Sequence, residues 1–270
     1  MNRPWEYQKC AIGVIGPPPF PGSYLYRGAS MDEIIEAVLE QAVVYDKLGY
    51  DAVLLQNAHD VPAPPHAPVE TVAYMAAMTT AVHRAFSKLA VGVMMVWDGV
   101  ASLAVADAAG ADFIRVEHAY IGAEMIPSGL APAQCAEITA LRSRIRSKVE
   151  VFADVYECHA VQLCPKPLQR AAFEAVRQCH AGGVFLSGAT SEESIVLADQ
   201  VRVQLPEAKL FLGNGSTGDN VYSLLQHFDG VCVGTWIKDG CTSNPINRDR
   251  ARFYIDEVRR AQRDMVQKKR

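Results

Sequence analysis

Eight short apolar runs, each followed by a segment with helical spacing, limit this chain's fold more than any other feature. The runs are AIGVIG (11–16), DAVLL (51–55), AVGVMMV (90–96), DFIRV (112–116), EVFADV (150–155), GGVFLS (182–187), KLFLG (209–213) and GVCVG (230–234). Runs of this length, rich in β-branched residues and bounded by glycine or polar residues, read as strands buried on both faces of a parallel sheet. In the first intervening segment Ser30 stands where a helix cap belongs, Ile34, Ile35, Val38, Leu39, Ala42, Val43 and Leu48 fall on one stripe, and Gly49 ends it. Further helices are expected over 68–86, 101–109, from Pro132 to about Arg146, over 168–180, from Ser191 to Val203, over 218–227 and from Asn247 to about Gln267. Eight strand–helix pairs in unbroken series predict an α/β chain folded as a (β/α)8 TIM barrel, with an open doubly wound sheet as the alternative. At 270 residues, one barrel domain over 1–270 accommodates the whole sequence. The proline-rich stretches GPPPFPGS (16–23) and VPAPPHAP (61–68) each follow a strand and read as stiff loops at the ligand-binding end.

Composition excludes several classes of function. A net charge of -4 without a clustered basic face argues against nucleic acid as a partner. No apolar stretch reaches the ~20 residues of a membrane span. Seven cysteines (Cys10, Cys135, Cys158, Cys164, Cys179, Cys232, Cys241) lie scattered with no CxxC, and MNRPWEYQKC lacks an apolar leader, so a reducing, cytoplasmic setting is expected.

Two late stretches share one design. GNGSTGDN (213–220) and GVCVGTWIKDG (230–240) each leave a strand through glycine and a hydroxyl or amide side chain. In such barrels the loops after the seventh and eighth strands commonly hold phosphate on backbone N–H groups. Gly213, Asn214, Gly215, Ser216 and Thr217, with the start of the 218–227 helix, and Gly234 with Thr235 are therefore candidates for one phosphate cradle, flanked by Ser187 and Gly188. Simple turn punctuation is the competing explanation for these glycines. Lys238 is expected exposed beside the loops, acting on an anion as a charge.

The strand ends supply the candidates for chemistry. Arg115 and Glu117 fall on the same side of the fourth strand, because side chains alternate. Asp154 ends an apolar run and needs a partner, so it is either a salt-bridge mate of Arg115 or a general base. Glu117 is the preferred proton-transfer group, with Asp154 or His159 as the second titrating group. Asn57, Asp60, Asp98 and His118 are expected to reach the substrate. His59, His118 and His159 with Asp60 or Asp154 allow a divalent metal, although no HxH or HExxH spacing supports it, and no cofactor is otherwise implied. Cys158 is read as a packing or loop cysteine rather than a nucleophile; Trp97 and Trp236 are placed to wall a pocket or to pack around the mouth.

The wording of several segments is also distinctive: GPPPFPGSYLYRG (16–28), LLQNAHDVP (54–62), ADFIRVEHAYIGAEMIPSGL (111–130), FADVYECHA (152–160), LSGATS (186–191) and GVCVGTWIKDGCTSNPINRDR (230–250). Together they resemble the BtpA/SgcQ family, in order and over nearly the whole chain. The resemblance implies a TIM barrel close to the ribulose-phosphate-binding group; one branch is named for photosystem I biogenesis and another sits among sugar-uptake functions. The chain departs from the family at Met94 to Gly99, where the family reads close to NVLRND, at Pro127 where an aspartate is usual, and at Cys158 where a lysine is expected. The expected function is a sugar-phosphate enzyme, an isomerase, epimerase or lyase, whose partner is a small phosphorylated substrate. A non-catalytic binder or assembly factor, and a glycosyl or phosphoryl hydrolase or transferase, are the alternatives. Association into homo-oligomers is left open, because no heptad or apolar stripe marks an interface.

Overall fold

A computed structural model describes residues 3–156 and 161–268, so Glu157, Cys158 and His159 lie outside the described residues. Eleven strands and eight α-helices are described. The barrel strands are β1 (Cys10–Ile15), β2 (Ala52–Gln56), β3 (Ala90–Met94), β4 (Phe113–Val116), β7 (Glu150–Tyr156), β9 (Gly183–Leu186), β10 (Lys209–Leu212) and β11 (Gly230–Val233). They close in chain order, each parallel to its neighbours, with β11 returning to β1 through Ile12↔Cys232 and its flanking pairs. The closed barrel expected from the alternating pattern is the observed one, and the open sheet is excluded.

The helices are α1 (Met31–Leu48), α2 (Val69–Ala85), α3 (Gly99–Ala109), α4 (Cys135–Ile145), α5 (Leu168–Phe173), α6 (Ser191–Gln204), α7 (Val221–Leu224) and α8 (Arg248–Lys268). Local chemistry sets their ends. Ser30 and Glu33 form a reciprocal capping box at the start of α1, and Gly49 takes the left-handed conformation at its end. Asp98 caps α3 by accepting from the Ala101 amide at 2.8 Å.

Two expectations are corrected, and one segment without an assigned element proves to be structured. The 168–180 helix is α5 followed by a π turn at Glu174–Gln178. The 218–227 helix shrinks to the four residues of α7, because the Asn220 side chain already takes the Thr217 amide at 2.8 Å and closes the turn. The segment between β4 and α4 is the structured one. It contains β5 (Glu124–Ile126) and β6 (Gly129–Ala131), which pair antiparallel, and β5 also pairs with β8 (Val161–Gln162) to make a small separate sheet.

Strand alternation divides the core in two. Outward residues such as Ile114, Val116 and Val151 pack against the helices. Inward residues fill the floor of the barrel with rings from Phe113, Phe152, Phe185 and Phe211, and Trp5 meets Phe113 and Phe152 edge-on at 5.2 and 5.3 Å. Gly92 is required in this layer, since a Cβ there would lie 2.2 Å from the Phe113 ring. Above the rings the lining turns polar, and the open space begins there.

Candidate functional site

A cavity of about 570 Å³ opens at the end of the barrel where the strands finish. Its base carries Arg115 and Glu117, which follow Phe113 along β4 with a period of two, so the side shared by these residues is the lumen. Its rim includes Gly213 to Thr217 after β10, Gly234 and Thr235 after β11, the indoles of Trp97 and Trp236, and Arg250.

The guanidinium of Arg115 is buried over the Phe185 ring, 4.8 Å from its centroid. It donates twice to Asp154, from Nε to Oδ2 at 2.9 Å and from the terminal nitrogen to Oδ1 at 3.1 Å. The Glu117 carboxylate stands 3.7 Å from the same guanidinium and borders the cavity. Burial works against the charge on Arg115, but the facing carboxylates of Asp154 and Glu117 outweigh it and raise its pKa. Arg115 is thus a fixed cation at the cavity floor. Asp154 is engaged as its bidentate partner, the salt-bridge alternative foreseen for it, and its side chain is 1% exposed. Cys232 shares the floor, where burial pushes its thiol up to about 12.

His118 lies directly behind Glu117, its Nε2 3.7 Å from the Glu117 carboxylate and its Nδ1 2.9 Å from Glu124 Oε2. Burial lowers its basicity, yet the Glu124 hydrogen bond and the Glu117 charge prevail, and its pKa is raised. Trp97 packs on the imidazole at 4.7 Å between centroids, and its own backbone is held in the left-handed region at φ 67°. That conformation is unfavourable for a bulky side chain and needs support. Gln134 supplies it, donating to the Trp97 carbonyl at 2.9 Å and accepting from the Gly99 amide at 2.7 Å.

The late loops are only partly free to bind. Ser187 Oγ accepts from the Gly213 amide at 3.2 Å and the Asn214 amide at 2.9 Å, so it tethers the β10 loop rather than facing the cavity. Gly188 donates to Ser194 Oγ at 2.9 Å and does not line the cavity. Among the described residues the amides of Gly215, Ser216 and Thr235 donate to no acceptor, and all three residues border the cavity. Gly215 at φ 79° can turn its amide there without strain. The expected cradle is therefore reduced to these amides and that of Gly234, which likewise donates to no acceptor among the described residues, with Gly213 and Asn214 as its walls.

Other expected contacts serve the loops. Asn57 accepts from the Val96 amide at 2.8 Å and donates to Asp60, which accepts from the Phe20 amide at 2.8 Å. Asp98 accepts from the Ala67 and Ala101 amides. None of Asn57, Asp60 and Asp98 lines the cavity, because each buried oxygen is spent on a nearby amide of the loops after β1, β2 and β3. Lys238, expected on the surface, is 2% exposed; its Nζ donates to the Thr242 carbonyl at 3.3 Å, and burial pulls its pKa down to about 8. His59 is held by the Pro17 carbonyl at 2.8 Å and does not line the cavity, and no group of three or more potential metal-binding side chains occurs among the described residues. His159 and Cys158 lie outside the described residues. Glu124, Gln134 and Arg250 escaped the reading of the sequence, since nothing in spacing or composition ties them to β4 or to Trp236.

With this geometry in view, comparison with known proteins places the chain. The BtpA family model matches residues 7–260. The chain belongs to the BtpA family. An uncharacterized protein of Thermococcus kodakarensis is 36% identical over 252 residues, covering 92% of this chain and 95% of its own. The photosystem I biogenesis protein BtpA of Synechocystis is 29% identical, covering 92% of this chain and 87% of its own. Among solved structures, N-(5'-phosphoribosyl)anthranilate isomerase from Pyrococcus furiosus superposes with a TM-score of 0.57 at 12% identity, covering 93% of this chain and 99% of that one. At that identity the structural likeness shows a shared TIM-barrel fold alone. No helix among the described residues of this BtpA-family chain is long and apolar enough to cross a membrane.

Proposed function

We propose that this BtpA-family protein is an enzyme acting on a small phosphorylated compound, by proton transfer next to a carbonyl group. The observation that carries the reading is one cavity shared by a carboxylate, a fixed cation and free backbone amides. Glu117 borders it beside Arg115, and Gly215, Ser216 and Thr235, whose amides donate to no acceptor among the described residues, line it as well. A phosphate monoester on those amides, with Arg250 at the rim, leaves the carbon skeleton over Glu117. Glu117 then removes a proton from carbon, and Arg115 stabilises the negative charge that develops on the enediolate oxygen. The same arrangement serves isomerisation, epimerisation or carbon–carbon cleavage, which differ in where the enediolate is reprotonated or broken. The isomerase neighbour acts on a phosphoribosyl compound by its name, which agrees with this class of ligand.

A second reading is favoured by the tethering of Gly213 and Asn214 by Ser187, which withdraws two amides from a ligand. It makes the protein a binder or an assembly factor, as the name of the Synechocystis relative suggests for that protein. Thermal-shift measurements with a panel of aldose and ketose phosphates, inorganic phosphate and the unphosphorylated sugars, followed by turnover of any hit, separate the two. The enzyme reading expects stabilisation by phosphorylated sugars and loss of turnover with retained binding in Glu117→Gln. Binding without turnover favours the second reading in its binder form, and a panel with no shift removes the enzyme and the binder and leaves the assembly factor.

A further inference from the structure

We propose that Glu124, His118 and Glu117 form a proton relay, in which Glu124 positions the His118 ring and His118 exchanges a proton with Glu117 at the cavity wall. The inference rests on the reading of Glu117 as the proton-transfer group and supplies that group with a partner.

The geometry is specific. His118 is 2% exposed and held from three directions: Glu124 on β5 takes Nδ1 at 2.9 Å, the tilted Trp97 indole packs against the ring, and Gln134 donates to its backbone carbonyl at 3.3 Å. Its Nε2 is buried and lacks a hydrogen-bond partner. Buried ring nitrogens are ordinarily satisfied, so an orphan in a ring so firmly held calls for a functional account. The group that Nε2 faces is Glu117 Oε2 at 3.7 Å, just beyond hydrogen-bond reach. A small rotation of the half-buried Glu117 side chain closes that gap, whereas His118 has no room to move.

The charged groups around the ring agree with this role. Glu117 and Glu124 contact it, and Asp154 adds its field from β7, although Asp154 is itself paired with Arg115. Three carboxylates favour the imidazolium, with Nδ1–H bonded to Glu124 and Nε2–H directed at Glu117. The exchange is balanced. The Nε2–H bond breaks, its electron pair stays on nitrogen, and an O–H bond forms on Glu117. The products are a neutral imidazole, still donating Nδ1–H to Glu124, and a protonated Glu117. With that proton on Nε2, Glu117 is a carboxylate that can take a proton from carbon; with it on Glu117, the same group is an acid that can give a proton to the substrate, leaving His118 neutral. Glu117 can thereby serve as base on one face of the reaction and as acid on the other. Glu124 and His118 reach the substrate only through Glu117, so both are positioning residues. A carboxylate behind an imidazole fixes the ring's tautomer and orientation in the same way elsewhere.

Nitrogen-15 NMR of the histidine ring in the full chain, followed as pH is varied, tests the relay without any substrate. The relay expects His118 to hold both ring protons above the ordinary histidine range. It also expects the midpoint to fall by about one unit or more, a tenfold change in proton affinity, in Glu124→Gln. Glu117→Gln, which leaves the Glu124 contact in place, is expected to lower the midpoint as well, and it covers the case in which Glu124→Gln fails to fold. An unchanged midpoint in Glu117→Gln overturns the relay, as does a wild-type His118 that is neutral at pH 7. Where a sugar phosphate is turned over, Glu124→Gln is expected to lower kcat and move the alkaline limb of the pH profile to lower pH while leaving KM within twofold; Glu124→Asp partly restores the limb. A shifted midpoint with no turnover of any phosphorylated compound upholds the coupling of the three residues and removes the enzyme reading instead.

Discussion

Arg115 and Asp154 meet edge to edge from neighbouring barrel strands, with two hydrogen bonds of 2.9 and 3.1 Å between side chains that are 3% and 1% exposed. Removing one member strands a charge in a dry layer above four phenylalanine rings. Loss of one partner of a buried pair costs about 3–5 kcal/mol, far more than the net worth of the pair. Asp154→Ala is therefore expected to lower the unfolding free energy by an amount in that range. The double variant Arg115→Met/Asp154→Leu recovers part of it, because the two fully buried charges are both gone and only the Glu117 carboxylate at the cavity border is left without its cation. Urea denaturation of the three proteins checks this; a single variant within about 1 kcal/mol of wild type would show that water reaches the pair.

Gly213 lies against that ion pair. An added Cβ would sit 2.6 Å from the terminal nitrogen of Arg115 and 3.2 Å from Ser187 Oγ, so Gly213→Ala must push the guanidinium away from Asp154 or displace the loop. Overpacking of this kind costs about 1–3 kcal/mol. The reading of the cavity adds that the variant loses the thermal shift caused by a sugar phosphate, since both the loop amides and Arg115 move. Retention of that shift with reduced stability would place the ligand elsewhere in the cavity.

Ser187 acts on the same loop from outside the cavity. Its hydroxyl oxygen is the acceptor shared by the amides of Gly213 and Asn214. Ser187→Ala removes the acceptor of the Asn214 amide and leaves the Gly213 amide only its longer bond to the Leu186 carbonyl at 3.4 Å, at a cost of about 1–3 kcal/mol, whereas Ser187→Thr keeps the oxygen. Faster hydrogen exchange at residues 213–216 in the alanine variant, and near-wild-type exchange in the threonine variant, is the expected pattern.

The barrel was legible in the sequence because a parallel strand buried on both faces leaves an apolar run, and eight such runs have few other ways to close. The floor of the site was legible for a related reason. Phe113, Arg115 and Glu117 are spaced by two, so one rule places all three in the lumen. Asp154 at the end of an apolar run announced that it needed a partner. What stayed hidden depends on turns instead of periods. Glu124 reaches His118 only because the chain doubles back between them, with Ala119 at φ 50° and Gly122 at φ 74°, and short strands of three residues leave little pattern. Lys238 was misplaced because a lysine beside glycine and aspartate reads as exposed, while the 3-10 turn at Trp236–Lys238 folds it inward. Asn57, Asp60 and Asp98 carry the residue types of a binding site, but their oxygens accept from the amides of Phe20, Ala67, Val96 and Ala101, which lie in loops and at a helix start where no strand or helix carbonyl takes them.

The buried amine of Lys238 makes stability depend on pH in a direction that can be stated. Burial lowers its pKa from 10.5 to about 8, and Cys241 only partly opposes the shift. Below pH 8 the lysine is protonated in both the folded and the unfolded chain, and the folded state bears the cost of a desolvated charge. Between about pH 8 and 10.5 the unfolded chain binds more protons than the folded one, so this residue's contribution to stability rises with pH and is complete above the unfolded value. Buried thiols and phenols titrate in the unfolded chain over the same window with the opposite sign, so the informative quantity is the difference between wild type and Lys238→Met. That difference is expected to favour the methionine variant at pH 7 and to shrink steadily toward pH 10, as measured by urea denaturation in matched buffers. A difference that stays constant across the window would mean that water solvates the amine and that its hydrogen bond to Thr242 serves only to order the loop.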